Sequence, residues 1–101
     1  MIWKLVVPGP IEGVDELRVL EWHGEIGRSF VKGALIVELE THKAVVEVRA
    51  GQPGFLRRVL CEAGSWEKIG YPLAILSADP AEPLPESLES VAPWLVDFEI
   101  T

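Results

Sequence analysis

The chain repeats itself. When residues 27–39 are laid on residues 64–76, a shift of 37 positions, Gly27 falls on Gly64, Gly33 on Gly70, Ile36 on Leu73 and Leu39 on Leu76. Each half therefore carries a glycine, five intervening residues, a second glycine, and apolar residues three and six places further on. Glycine at fixed offsets marks turns that need permissive backbone angles, and short apolar runs between such turns mark strands. Two similar all-β halves imply two small antiparallel sheets around a shared core, related by a pseudo-twofold axis. A chain of 101 residues has room for one such domain and not for two. Its 49% apolar content is enough to fill the core.

Within the first half, Ala34-Leu35-Ile36-Val37-Glu38-Leu39 and Val45-Val46-Glu47-Val48 flank Glu40-Thr41-His42-Lys43-Ala44. Both flanks are aliphatic, rich in β-branched residues and punctuated by glutamate, which reads as strand. Folded as a hairpin with Leu39 opposite Val46 and Val37 opposite Val48, the apolar side chains share one face. Glu38 then meets Glu47 on the other face, and Glu40 flanks Val45. A one-residue slip would mix the faces, so this register is favoured. Thr41 to Ala44 form the turn, with His42 and Lys43 at its tip. No glycine is present there, which argues for a type I geometry over a tight primed turn. The pairing leaves one lysine amine at a hairpin apex, within reach of a modifying enzyme.

These residues resemble the attachment hairpin of lipoyl domains, in the biotinyl/lipoyl attachment family. That family usually reads Glu-Thr-Asp-Lys-Ala, then Glu-Val, then a glycine eleven residues after the lysine. This chain has Glu40-Thr41-His42-Lys43-Ala44, Glu47-Val48 and Gly54, departing at His42. The likeness covers about residues 14 to 77. It implies a flattened β-barrel, or barrel-sandwich hybrid, with the lysine hairpin at one end and the termini at the other. The position matching Lys43 in the second half is Pro80, where the chain runs into its tail. At Glu67 the family prefers an apolar residue, and the first half has Phe30; neighbouring Trp66 is a candidate to supply that packing.

The resemblance also implies a function. Lys43 would carry lipoic acid as an amide, installed by a lipoyl ligase or transferase, with Glu40, Thr41, His42 and Ala44 as recognition contacts. The arm would take an acyl group reductively from a thiamine-dependent decarboxylase component, pass it to an acyltransferase core and be reoxidised by a flavoprotein dehydrogenase. The domain itself would be a non-catalytic carrier in a 2-oxo acid dehydrogenase-type complex, the chemistry belonging to the cofactor and its partners. Biotin is the alternative cofactor. Biotin carriers usually flank the lysine with methionines, whereas His42 and Ala44 stand here. The glycine-cleavage carrier, with Ser-Val-Lys-Ala and a longer chain, matches less well. An unmodified barrel serving as an interaction module also stays open, with Lys43 an ordinary solvated lysine.

Outside the hairpin, Met1 to Val7 reads as a first strand, broken by Pro8-Gly9-Pro10. Glu16 to Trp22 has mixed spacing that leaves a helix open. A strand is the preferred reading, with Leu17 and Val19 inward and Trp22 a third candidate for that face. The lipoyl-like domain is expected over residues 1–77 and an acidic, proline-rich tail over 78–101. Asp79-Pro80-Ala81-Glu82-Pro83-Leu84-Pro85-Glu86 has the composition of an extended, solvated linker. Trp94, Val96, Phe98 and Ile100 alternate, which predicts a terminal strand over 94–101. That strand is expected on a sheet edge of its own chain, for example beside Met1–Val7, or on a second copy as a homo-oligomer contact.

Charge and side-chain chemistry narrow the rest. With 16 acids against 9 bases the net charge is −7, which argues against nucleic acid as partner and suits docking into basic pockets. No apolar run reaches membrane-spanning length, and the amino terminus is too short for a secretion signal. The single Cys61 excludes an internal disulfide and points to a reducing, cytoplasmic setting. His23 and Cys61 lack paired ligands at metal spacing, so no metal site is expected. Cys61 has no triad-like partners and reads as a small core residue. Glu38, Glu40 and Glu47 read as a solvated polar face, and His42 as a solvated turn residue. Trp3, Trp22, Trp66 and Trp94 read as core or edge packing, with Trp3 and Trp94 candidates for an oligomer contact.

Overall fold

The computed structural model describes all 101 residues. Ten strands form in order: β1 (Ile2–Val6), β2 (Glu16–Trp22), β3 (Ser29–Phe30), β4 (Leu35–Glu40), β5 (Val45–Ala50), β6 (Gly54–Val59), β7 (Trp66–Lys68), β8 (Pro72–Ser77), β9 (Ala92–Pro93) and β10 (Val96–Ile100). They make two five-stranded sheets, ordered β3-β6-β8-β1-β9 and β10-β5-β4-β2-β7. All pairings are antiparallel except β1 with β9, which is parallel. The all-β sandwich of two sheets expected from the sequence is therefore the observed fold. No helix is long and apolar enough to cross a membrane.

The repeat has a conformational cause. Gly27 and Gly64 have φ of 96° and 94°, and Gly33 and Gly70 have φ of 91° and 87°. L side chains rarely adopt such angles, so both halves place glycine at the same two turns. The apolar partners Ile36, Leu73, Leu39 and Leu76 are all fully buried. Leu17 and Val19 point inward as expected, and Trp22 packs against the core from its margin. Each fully buried aliphatic side chain of this kind contributes roughly 1.5–3 kcal/mol before entropy is counted.

The last strand departs from the expected layout of the termini. After β8 the chain runs along β1, where the Met1 ammonium meets Glu82 at 2.6 Å and Lys4 Nζ donates to the Leu88 carbonyl. β9 then pairs beside β1, the Trp94 N–H donates to the Lys4 carbonyl at 2.7 Å, and the chain crosses to the other sheet at Leu95, whose carbonyl accepts from the Gly51 N–H at 2.8 Å. β10 adds to β5 of the same chain, with Ile100 opposite Val46 and Val96 opposite Ala50. The amino terminus stays at the far end, by Ala78, but the carboxyl terminus returns to the lysine end: the Thr101 N–H donates to the Val45 carbonyl at 2.8 Å. The reason is the antiparallel sense of the β10–β5 pairing, which carries the chain back toward the turn.

Two expectations about tryptophans need correction. Trp94 is 2% exposed within its own chain, so it is closed to any partner. It sits over Gly54, where a Cβ would lie 3.1 Å from Trp94 Nε1; the absent side chain at Gly54 makes room for the indole. Trp66 is 50% exposed and does not replace the packing that Phe30 provides in the first half. Trp66 and Glu67 lie on β7, an edge strand held only by β2, so the second half tolerates a carboxylate at the sheet margin.

Candidate functional site

The hairpin β4–β5 has the register expected from its alternation: Val37 with Val48, Glu38 with Glu47, Leu39 with Val46, and Glu40 with Val45. Val37, Leu39, Val46 and Val48 are fully buried, so the core face fixes the register. The four-residue turn is held by Thr41. Its N–H donates to the Ala44 carbonyl at 2.9 Å, and its Oγ1 accepts from the N–H groups of Lys43 at 3.1 Å and Ala44 at 3.0 Å. No residue other than glycine has positive φ, which excludes the primed turns. His42 and Lys43 are exposed at the tip, while Thr41 and Ala44 are half-buried. No carboxylate lies within ion-pair distance of the Lys43 ammonium.

Glu40, at the base of the turn, is engaged from within. Its carboxylate takes a 2.6 Å hydrogen bond from Arg18 Nη1 on β2, and Arg18 Nε also donates to the Gly64 carbonyl. The pair is partly exposed, so its contribution is below about 1 kcal/mol. It ties the hairpin to β2 and to a glycine turn of the second half, which makes Glu40 a brace more than a free contact.

The outer face of this sheet carries a row of acids. Glu21, Glu38, Glu47 and Glu99 stand opposite one another across β2, β4, β5 and β10. Like charges set directly across strands repel, and nitrogen-bearing side chains reach in between them. His23 Nε2 is 2.6 Å from Glu38 and Nδ1 3.8 Å from Glu21, and Arg49 is 3.6 Å from Glu47. The potential ligand atoms of Glu21, His23 and Glu38 lie within 4.8 Å of one another. The sequence spacing gave His23 and Cys61 no paired ligands and no metal site; the fold gathers His23 with two carboxylates, a grouping visible only once the β2–β4 register is known. Cys61 is buried, and its carbonyl accepts from Trp22 Nε1 at 3.0 Å. Burial, with the Glu67 carboxylate second, pushes the Cys61 thiol above its ordinary pKa.

Two clefts flank the turn. One, of about 420 Å³, is lined by Asp15, Glu16, Trp66, Lys68 and His42 among others. The second, of about 210 Å³, lies between the turn and the loop Ile11–Val14, and Lys43 itself is on its wall. Ile11, Val14, Ala44, Val46 and Ile100 supply its apolar lining. Sequence reasoning missed these neighbours. Ile11-Glu12-Gly13-Val14 has no periodicity to read, and only pairing with β5 brings Ile100 beside the turn.

Comparison with known proteins places this geometry. A family model for biotin and lipoyl attachment, described as "Biotin-requiring enzyme", matches residues 4–76. The dihydrolipoyllysine-residue succinyltransferase component of the 2-oxoglutarate dehydrogenase complex of Staphylococcus saprophyticus is 37% identical over 73 residues, 72% of this chain and 17% of that protein. Its namesake from Bacillus subtilis is 32% identical, covering 87% of this chain and 23% of that protein. The lipoamide acyltransferase component of the branched-chain alpha-keto acid dehydrogenase complex of Pseudomonas aeruginosa is 29% identical over 81% of this chain and 19% of its own length. The chain thus spans about a fifth of the length of these curated relatives. With a matched family model over most of its residues and a two-sheet sandwich carrying a lysine hairpin, the chain belongs to the biotinyl/lipoyl attachment family, and within it to the lipoyl domains.

Proposed function

We propose that the domain is a carrier in a 2-oxo acid dehydrogenase-type complex, with lipoic acid held as an amide on Lys43. The observation that carries this reading is the unpaired ammonium of Lys43 at the apex of a turn locked by Thr41. The residues fit the group: an attachment lysine has to be free of internal ion pairs and open to a ligase, and Lys43 is both. When bound, the lipoyl group supplies a disulfide that accepts an acyl group and two electrons. The chain's own residues present it. Thr41 fixes the turn, the Arg18–Glu40 pair braces its base, and His42 and Ala44 border the lysine where a ligase and the enzymes of the complex would make contact.

The domain makes and breaks no bonds in this reading; it carries the arm between a thiamine-dependent decarboxylase, an acyltransferase core and a flavoprotein dehydrogenase in the cytoplasm. Tethering raises the arm's local concentration at each of these sites. The relatives named above are components of such complexes, which supports the assignment. Residues 1–77 form the carrier proper and residues 78–101 the tail that clasps it. Biotin on Lys43 is the competing reading, disfavoured by His42 and Ala44 in place of flanking methionines.

Intact mass after co-expression with a lipoyl ligase, or separately with a biotin ligase, tests the proposal. One lipoyl group is expected on the wild type and none on Lys43→Arg. A biotin adduct alone would transfer the chain to carboxylation, and no adduct with either ligase would leave an interaction module.

A further inference from the structure

The three apolar side chains of β10, Val96, Phe98 and Ile100, face the core side of their sheet yet stay partly open. Ile100 lies opposite fully buried Val46, but is itself 52% exposed. What lies beside it is the 210 Å³ cleft, with Lys43 on the same wall. β10 is anchored at this point, since the Thr101 N–H and Oγ1 both donate to the Val45 carbonyl, at 2.8 and 3.3 Å. On the opposite side the loop Ile11–Val14 is closed on itself: the Val14 N–H donates to the Ile11 carbonyl at 3.1 Å, and Gly13 takes a φ of 75°. A half-open apolar trough thus runs beside the amine, with one wall made by the tail.

We propose that this trough is a resting site for the arm on Lys43, and that Ile100 is a positioning residue which completes it. The inference rests on Lys43 being the lipoylated residue. The chemistry of the occupant matches the apolar part of the lining: a saturated hydrocarbon chain ending in a soft, apolar dithiolane meets Ile11, Val14, Ala44 and Ile100, with Glu12, Thr41 and His42 beside them. Burying such surface is favourable in proportion to its area. The larger cleft nearby is the poorer fit, because Asp15, Glu16 and Lys68 line it and Lys43 does not. The arm would then exchange between a docked and a free state. Only the free state reaches a partner, so the depth of the trough sets how much of the arm is available.

The test uses the full lipoylated chain, its modification verified by mass. The rate of dithiolane reduction by a water-soluble anionic phosphine is compared with that of free lipoamide. A docked population of roughly two thirds slows reduction about threefold. The expected result is protection of that order in the wild type, and faster reduction in Ile100→Asp. The new carboxylate repels the phosphine, so acceleration would run against the electrostatic bias. Ile100 is half exposed, so the variant is expected to keep its fold, checked by its melting curve. Equal rates for wild type and Ile100→Asp overturn the proposal, whatever the rate of lipoamide. If Lys43 takes no lipoyl group at all, the failure belongs to the functional reading. The trough is then judged by titrating the unmodified chain with lipoamide and following backbone amide shifts. Shifts at Ile11, Val14, Ala44 and Ile100 support it, and their absence rejects it.

Discussion

The two halves of the molecule share a frame and differ in what they do at its end. In the first half β4 turns at Thr41–Ala44 and comes straight back as β5. In the second, β8 reaches the matching position and the chain continues through Pro80 into a tail, which clasps β1 and then β5. The first half closes its lining with Phe30, 2% exposed; the second has Glu67 there, partly exposed near Cys61. Paired glycines and leucines build the sandwich twice over. What separates the halves is the segment after the second apolar strand, a presented turn in one case and a fastening in the other.

The sharpest way to break this comparison is at the fastening. Trp94→Ala should cost about 3–5 kcal/mol in urea unfolding, as expected for an emptied indole site. Trp94→Phe should cost much less, because Trp94 Nε1 has no hydrogen-bond partner to lose. If Trp94→Ala leaves stability unchanged, the tail is an appendage and the second half ends at β8.

The frame itself is tested by matched substitutions. Gly33→Ala and Gly70→Ala should each cost roughly 1–2 kcal/mol by forcing a side chain to positive φ. Neither new Cβ meets an atom within 4 Å, so the two costs should agree. A marked inequality would show that the pseudo-symmetry does not extend to the energetics.

The smallest expected difference concerns pH. The folded chain raises the Cys61 pKa, so the protonated thiol is favoured on folding. Its contribution is complete below the unfolded thiol's pKa and is lost as pH rises through the folded value. Stability should therefore sag at alkaline pH, and Cys61→Ala should flatten that limb. An unchanged limb in the variant would assign the sag to other groups.

Much of this was legible in the sequence, for identifiable reasons. The β4–β5 register follows from a period-two pattern with one buried face, and that pattern admits a single solution. The glycine pairs follow from a backbone demand that glycine meets best. The terminal strand was readable from the alternation of Val96, Phe98 and Ile100, but its partner was not, because alternation states a face and no neighbour. Residues joined only by distant pairings were invisible for the same cause. Arg18 and Glu40, His23 and Glu38, and Val46 and Ile100 become neighbours through sheet order alone. The site was half readable: Lys43 and its turn are local, while the trough beside them is assembled from three separated stretches.

Because β10 occupies the border of β5, the unsatisfied backbone fringe of that sheet has moved one strand outward, to a strand bearing Asp97 and Glu99. Two copies meeting there antiparallel about Phe98 would set Asp97 against Glu99, acid facing acid. The same strand shuts the sideways route to the hairpin along the β5 border. An enzyme seeking the amine beyond it has to come at the molecule end-on.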